Sequence, residues 1–304
     1  MNFKKLKNPL LLLLAAFIWG AAFVFQKSHS VPPFMFNVLR SIVGGTVLIP
    51  IIAIMGKRAP QPVDGKPSSK KLLILGGSLC GIALAVASAF QQYGIQAGAD
   101  AGKAGFLTAM YIVLVPIFGI FLKVRTTLKS WISVAISVIG LYLLCYKGGV
   151  GFTSGDLIVL CCAFVFAVHI LIIDHFSSRV EAMKMSCIQF FVCAAVSLVF
   201  SLVWGERLTL DILKESYSSI LYLGVLSSGA GYTLQIVAQR DTHPALASII
   251  MSLESVFAVL ASTIAVLVGF IDGDILTLRE ALGCAIMFGA IILSQLPERK
   301  KTQK

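Results

Sequence analysis

The chain has 304 residues, of which 58% are hydrophobic and only 13% charged, and it carries a net charge of +11. Water-soluble domains are about half apolar and about a quarter charged, so water is not the solvent for most of this chain. The basic residues flank apolar stretches, where anionic lipid attracts them, which argues against a nucleic-acid partner.

Charge clusters and turn residues divide the chain into ten apolar stretches, each near the ~20 residues needed to cross a hydrocarbon core. The predicted helices cover 9–27, 33–55, 72–95, 103–122, 130–146, 154–173, 185–204, 217–238, 245–268 and 278–295. Connections are short except for Gly56 to Lys71, where Pro60, Pro62, Asp64, Gly65 and Pro67 leave room for neither helix nor strand. Lys4, Lys5 and Lys7 before the first apolar run imitate a signal peptide, but no small-residue cleavage site closes that run. The first stretch is therefore expected to remain as a helix, and the fold class is an all-α polytopic membrane protein.

The cysteines Cys80, Cys145, Cys161, Cys162, Cys187, Cys193 and Cys284 all fall inside apolar stretches. None shows metal-ligand spacing, so they read as small packing residues, with no metal and no cofactor expected.

Orientation follows from Lys and Arg on the two sides of the spans. Eighteen fall on the side that holds both termini, six on the other, and Arg40 lies within a span. Cytoplasmic loops carry the excess of positive residues. The expected location is the cytoplasmic membrane, multi-pass, with the N- and C-termini in the cytoplasm.

The chain repeats itself once. Phe17-Ile18-Trp19-Gly20 corresponds to Phe164-Val165-Phe166-Ala167, and the stretch 128–140 corresponds to 278–290. The halves are 1–148 and 149–304, five spans each. Five is odd, so the second half starts on the opposite side of the membrane and the repeats are inverted. Such a pair can rock about a site at its interface and open it to either side in turn.

The run Phe17-Ile18-Trp19-Gly20-Ala21-Ala22-Phe23-Val24, then Pro33-Phe34 and Arg40, resembles the opening of an EamA-type unit of the drug/metabolite transporter superfamily. Ala104-Gly105-Phe106-Leu107-Thr108-Ala109-Met110-Tyr111 ending at Pro116, and Ser252-Leu253-Glu254-Ser255-Val256-Phe257-Ala258, are similar to the fourth helices of that family's two repeats. The resemblance implies a ten-helix bundle with a central cavity and secondary transport, often export of amino acids or other small metabolites. Ser255 stands where the second repeat usually has Pro, which removes the residue that would make a local kink.

An ionisable group at membrane depth is expensive and is a functional candidate for that reason. Arg40 and Glu254 enter from opposite faces and lie about 10 and about 14 Å from their own interfaces at 1.5 Å per residue. They are candidates for a gating or proton-coupling pair; otherwise each satisfies backbone or serine groups of a neighbouring helix. Glu254 is the favoured coupling group, because a carboxyl that gains and loses a proton between two open states couples transport to a proton gradient.

Helical spacing groups the cavity candidates: Trp19, Phe23 and Gln26 on the first helix, Ser88 with Gln91 or Gln92 on the third, and Thr108 with Tyr111 on the fourth. Of the two glutamines, Gln92 is the one selected. Tyr232, Gln235 and Gln239 share a face of the eighth helix, and His169 sits midway along the sixth. Gly77 and Gly81 have a GxxxG spacing, read as close helix packing.

No HExxH, GxGxxG, GxxxxGK[ST] or GxSxG motif occurs, so an enzyme and an ATP-driven pump are not expected. The expected partners are membrane lipids, a small-molecule substrate and protons. A lipid flippase is the alternative within membrane proteins. An intramembrane enzyme or a scaffold is the alternative outside transport.

Overall fold

The computed structural model describes residues 3–27, 30–55, 69–99, 101–124, 126–145, 153–269 and 275–296. The long connection after the second helix, Lys147 and the C-terminal tail, all used in the charge count, lie outside the described residues.

The described residues form helices and no strand. In order they are α1 (Phe3–Lys27), α2 (Pro33–Met55), α3 (Lys70–Gln96), α4 (Ala101–Ala109), α5 (Tyr111–Phe121), α6 (Leu128–Cys145), α7 (Ser154–Ser177) and α8 (Ala182–Val203). The short helices α9 (Leu210–Glu215) and α10 (Tyr217–Leu221) follow, then a π-helical segment Tyr222–Tyr232, α11 (Thr233–Gln239), α12 (Pro244–Met251), α13 (Glu254–Leu267) and α14 (Leu278–Gln295).

Eight helical stretches are long and apolar enough to cross a membrane. Among the ten predicted spans, the fourth joins α4 to α5, the eighth joins α10 to α11 through the π segment, and the ninth joins α12 to α13. The shorter apolar helix α6 packs on α14, and the two occupy the fifth and tenth predicted spans. The protein is therefore a polytopic helical membrane protein, with side chains such as Ile54, Phe121, Leu202 and Ile292 exposed on its outer surface to meet hydrocarbon.

Helix starts follow local chemistry. Thr153 and Asp156 form a reciprocal capping box at α7, and Thr277 and Glu280 form another at α14, each supplying a carboxylate where backbone N–H groups lack partners. Pro244 opens α12 at a position where its missing N–H costs nothing. Two predicted spans are broken rather than continuous. The fourth breaks at Met110 and the ninth at Ser252–Leu253, in each case with tightened i→i−3 bonds: Met110 N–H to the Leu107 carbonyl at 3.2 Å, and Leu253 N–H to Ile250 at 3.2 Å. The break before Ser255 therefore needs no proline. α7 also runs a turn past its predicted end, which brings Asp174 and His175 into the helix.

The packing has an internal order. α3 packs on α7 and the eighth span on α1; α3 packs on α8 and the eighth span on α2; α1 packs on α13 and α7 on α4 and α5; α2 packs on α8, and α6 on α14. Exchanging the first five spans for the last five maps every pair in this set onto another of the set, or, for α2–α8 and α6–α14, onto itself. Small residues allow the closest approaches. A Cβ at Gly283 would lie 2.7 Å from the Gly140 carbonyl oxygen, and one at Gly81 would lie 2.6 Å from that of Gln189. The GxxxG spacing of Gly77 and Gly81 thus marks the α3–α8 contact. The centre of the bundle, where α1, α3, α4, α7, the eighth span and α13 converge, is where polar side chains collect.

Candidate functional site: a central polar cavity

A cavity lies at this centre. Its walls include Trp19, Phe23 and Gln26 from α1, Arg40 from α2, Gln91 from α3, and Thr108 and Tyr111 from either side of the break at Met110. The second half contributes Phe166, His169 and Ile170 from α7, Ser227, Tyr232 and Gln235 from the eighth span, and Met251 and Glu254 from either side of the second break. The space that the centre of a water-sized sphere can reach is about 40 Å³, room for roughly three waters.

The structure brings ten of the thirteen sequence candidates to this one space and leaves Ser88, Gln92 and Gln239 behind the wall, all buried. Gln91 lines the cavity where Gln92 was expected. One helical residue turns a side chain by about 100° (3.6 residues per turn), so a polar pair on neighbouring positions cannot be resolved by periodicity. Gln92 instead donates to the Gln26 backbone carbonyl at 3.4 Å. Gln239 is also buried outside the wall and donates to the Ile170 carbonyl at 2.6 Å. Phe166, Ile170 and Met251 were not singled out from the sequence, because an apolar residue facing a cavity carries the same signal as one facing a neighbouring helix.

A polar relay crosses the first half: Gln26 Nε2 donates to Gln91 Oε1 at 3.0 Å, and Gln91 Nε2 donates to Thr108 Oγ1 at 3.2 Å. These bonds tie α1, α3 and α4 together below the break. On the opposite wall, a His169 ring nitrogen (Nε2) meets Gln189 Oε1 at 2.9 Å.

Aromatic contacts fix one flank. The rings of Trp19 and Tyr232 lie 4.8 Å apart at a tilt of 51°, and His169 and Phe190 both meet Tyr232 edge-on. The Trp19 indole N–H donates to the Ser227 carbonyl at 3.2 Å, inside the π segment. The run Gly224-Val225-Leu226-Ser227-Ser228-Gly229-Ala230-Gly231 explains why a wide helix forms there: small residues let α1 and α2 press on the backbone, and a Cβ at Gly231 would lie 2.6 Å from the Trp19 nitrogen. π-helical segments occur often at functional positions.

Arg40 and Glu254 line the same cavity but form no ion pair. Arg40 Nε donates to Ser228 Oγ at 3.3 Å, and among the described residues no carboxylate pairs with it. Glu254 faces Tyr111 instead, with which it interacts across the two helix breaks, although neither Tyr111 Oη nor Glu254 Oε1 makes a hydrogen bond of good geometry. Of the two readings open for Arg40, the contact found is the one with a serine of a neighbouring helix. Arg40 turns to the π segment on its own side, and the eighth span supplies a serine before its side chain reaches Glu254. Beside this, Ser255 Oγ donates to the Gly105 carbonyl at 3.1 Å and joins α13 to α4, so the two broken spans meet at their breaks.

Among the described residues no cluster of His, Cys, Asp and Glu has the makings of a metal site. A ten-span helical bundle with two broken spans meeting at a buried polar cavity is the architecture of a membrane carrier. The chain belongs to the EamA-like transporter family, whose pattern matches residues 6–146 and again 153–296. It is 30% identical to an uncharacterized transporter of Archaeoglobus fulgidus, over 96% of this chain and 87% of that one. It is 23% identical to the uncharacterized inner membrane transporter YedA of Escherichia coli, over 97% and 93% of the two chains, and 23% identical to the uncharacterized transporter YoaV of Bacillus subtilis, over 91% and 90%. A solved crystal structure superposes with a TM-score of 0.72 at 20% identity, covering 95% of this chain and 96% of that one, a likeness of fold. The protein is a transporter of this family, not an enzyme.

Proposed function

We propose that the protein is a secondary active carrier that exports small metabolites such as amino acids across the cytoplasmic membrane, with both termini in the cytoplasm. Residues 1–148 and 149–304 form the two inverted repeats that rock about the cavity. The observation that carries this reading is the convergence of both broken fourth helices on one buried polar cavity, with Tyr111 and Glu254 at the two breaks. Broken helices at the interface of two repeats are how many carriers place a site near the bilayer midplane.

The present volume supports alternating access. Pockets for small ligands run to roughly 300–1,000 Å³, whereas this one reaches about 40 Å³, so its walls must part to admit a metabolite. Glu254 is the proton-coupling group in this reading: it is the one carboxyl on the cavity wall among the described residues. Arg40 holds the π segment through Ser228 and offers its remaining N–H groups to an acidic part of the substrate. A flippase is less well supported, since Arg40 is 5% exposed and gives no basic lateral opening.

The test is uptake and efflux of a labelled metabolite panel in proteoliposomes, with and without a proton gradient. Movement of at least one compound against its own gradient, driven by the pH difference, is the expected result. Strictly downhill movement under all conditions would remove active coupling from the reading, and no movement of any compound would remove transport of this substrate class.

A further inference from the structure

Inside the bundle, one buried amide has its orientation fixed by a group that cannot reverse its role. Gln239 Nε2 reaches the Ile170 backbone carbonyl at 2.6 Å. A carbonyl only accepts, so the nitrogen end of Gln239 must face it. The oxygen end of Gln239 then faces Gln235, and Gln235 Nε2 donates to Gln239 Oε1 at 3.2 Å. What remains of the Gln235 amide is Oε1, which is buried and has no hydrogen-bond partner, on a side chain that lines the cavity and is 2% exposed. The His169–Gln189 pair has no comparable anchor, since either ring nitrogen and either end of that amide could exchange roles.

A buried acceptor without a partner costs free energy until something donates to it. Two further features of the same wall favour a donor that is also positive: Glu254, with its own Oε1 unpartnered, and the aromatic pair Trp19 and Tyr232.

We propose that Gln239 is a positioning residue that holds the Gln235 amide with its oxygen towards the cavity, and that Gln235 thereby selects substrates carrying a protonated amine. The inference rests on the transport reading above and names the group on the substrate that the second half of the site recognises. Gln239 touches no substrate. It acts by denying Gln235 the flipped orientation, in which an amide N–H₂ would face the cavity and repel an ammonium.

The experiment measures selectivity rather than rate, in proteoliposomes containing the full chain. Matched pairs of labelled compounds that differ only by an amine against a hydroxyl, such as leucine against 2-hydroxy-4-methylpentanoate and phenylalanine against 3-phenyllactate, are compared in the wild type and in three variants. The wild type should prefer the amine member by roughly 3- to 30-fold, since both members can donate to Gln235 Oε1 but only the ammonium makes a charge-assisted bond. Gln235→Leu and Gln239→Leu should each lose most of that preference, read as the amine-to-hydroxyl ratio within each variant. The double variant Gln235→Glu with Gln239→Leu should recover the preference, because a carboxylate accepts at both oxygens and needs no orienting partner. A merely structural Gln239 would lower both members of a pair equally and would not be rescued by Gln235→Glu; either result overturns the proposal. Equal transport of amine and hydroxyl members by the wild type overturns it while leaving the transport reading standing. If the wild type moves no compound, both fall together.

Discussion

Substituting Glu254 by glutamine probes the proposed coupling most directly. The change keeps the side chain's size and its ability to meet Tyr111 across the two helix breaks, but removes the capacity to ionise. Among the described residues Glu254 is the only carboxyl on the cavity wall, so the structure allows it one proton per transport cycle. One proton moving down one pH unit supplies about 1.4 kcal/mol, which sustains at most about tenfold accumulation of a neutral substrate. The assay is the steady-state ratio of labelled substrate inside and outside proteoliposomes across an imposed gradient of about one pH unit. The wild type should approach that tenfold ratio, and Glu254→Gln should fall to a ratio near one while still exchanging labelled for unlabelled substrate. Accumulation by Glu254→Gln at wild-type rate would refute the coupling role and leave the residue a packing or substrate contact. A wild type indifferent to pH would mean a facilitator or another coupling ion.

Other outcomes follow from particular contacts. Tyr111→Phe should leave the melting temperature in detergent unchanged, because the hydroxyl has no hydrogen bond to lose, yet alter the pH dependence of transport through Glu254. Trp19→Ala should abolish transport or re-rank substrates, since the ring forms the flank against Tyr232; an unchanged substrate order with unchanged rates would place Trp19 in packing alone. Gly283→Leu should destabilise by about 1–3 kcal/mol or more, because its Cβ would meet backbone of α6, whereas Gly289→Leu, with no atom within 4 Å of its Cβ, should be near neutral; detergent melting curves compare them. A reporter active only in the cytoplasm should work when fused after Lys304, and activity only from a periplasm-dependent reporter would overturn the proposed orientation.

Most of the architecture was legible because the hydrocarbon core imposes a one-dimensional rule: each crossing must be a run of about 20 apolar residues, wherever its partners lie. That rule marked the spans, the long polar connection after α2 and the rarity of Arg40 and Glu254. Helical period then put Trp19 with Phe23 and Gln26, and Tyr232 with Gln235, on common faces. Both relations lie within one helix, so no tertiary knowledge was needed.

Whatever depends on two helices at once was decided by the fold. The breaks at Met110 and Ser252–Leu253 arise where α4 and α13 cross, and no residue in either run forces them; Pro116 lies past the first break and no proline adjoins the second. The π segment forms because α1 and α2 press on a run of small residues, a condition set by neighbours rather than by the run itself. Gln91 rather than Gln92 faces the cavity, and Arg40 turns to Ser228 rather than Glu254, because each choice is fixed by which helix packs alongside. A sequence states which groups are buried at membrane depth; which of them meet is a property of packing, since it depends on residues as far apart in the chain as Arg40 and Ser228.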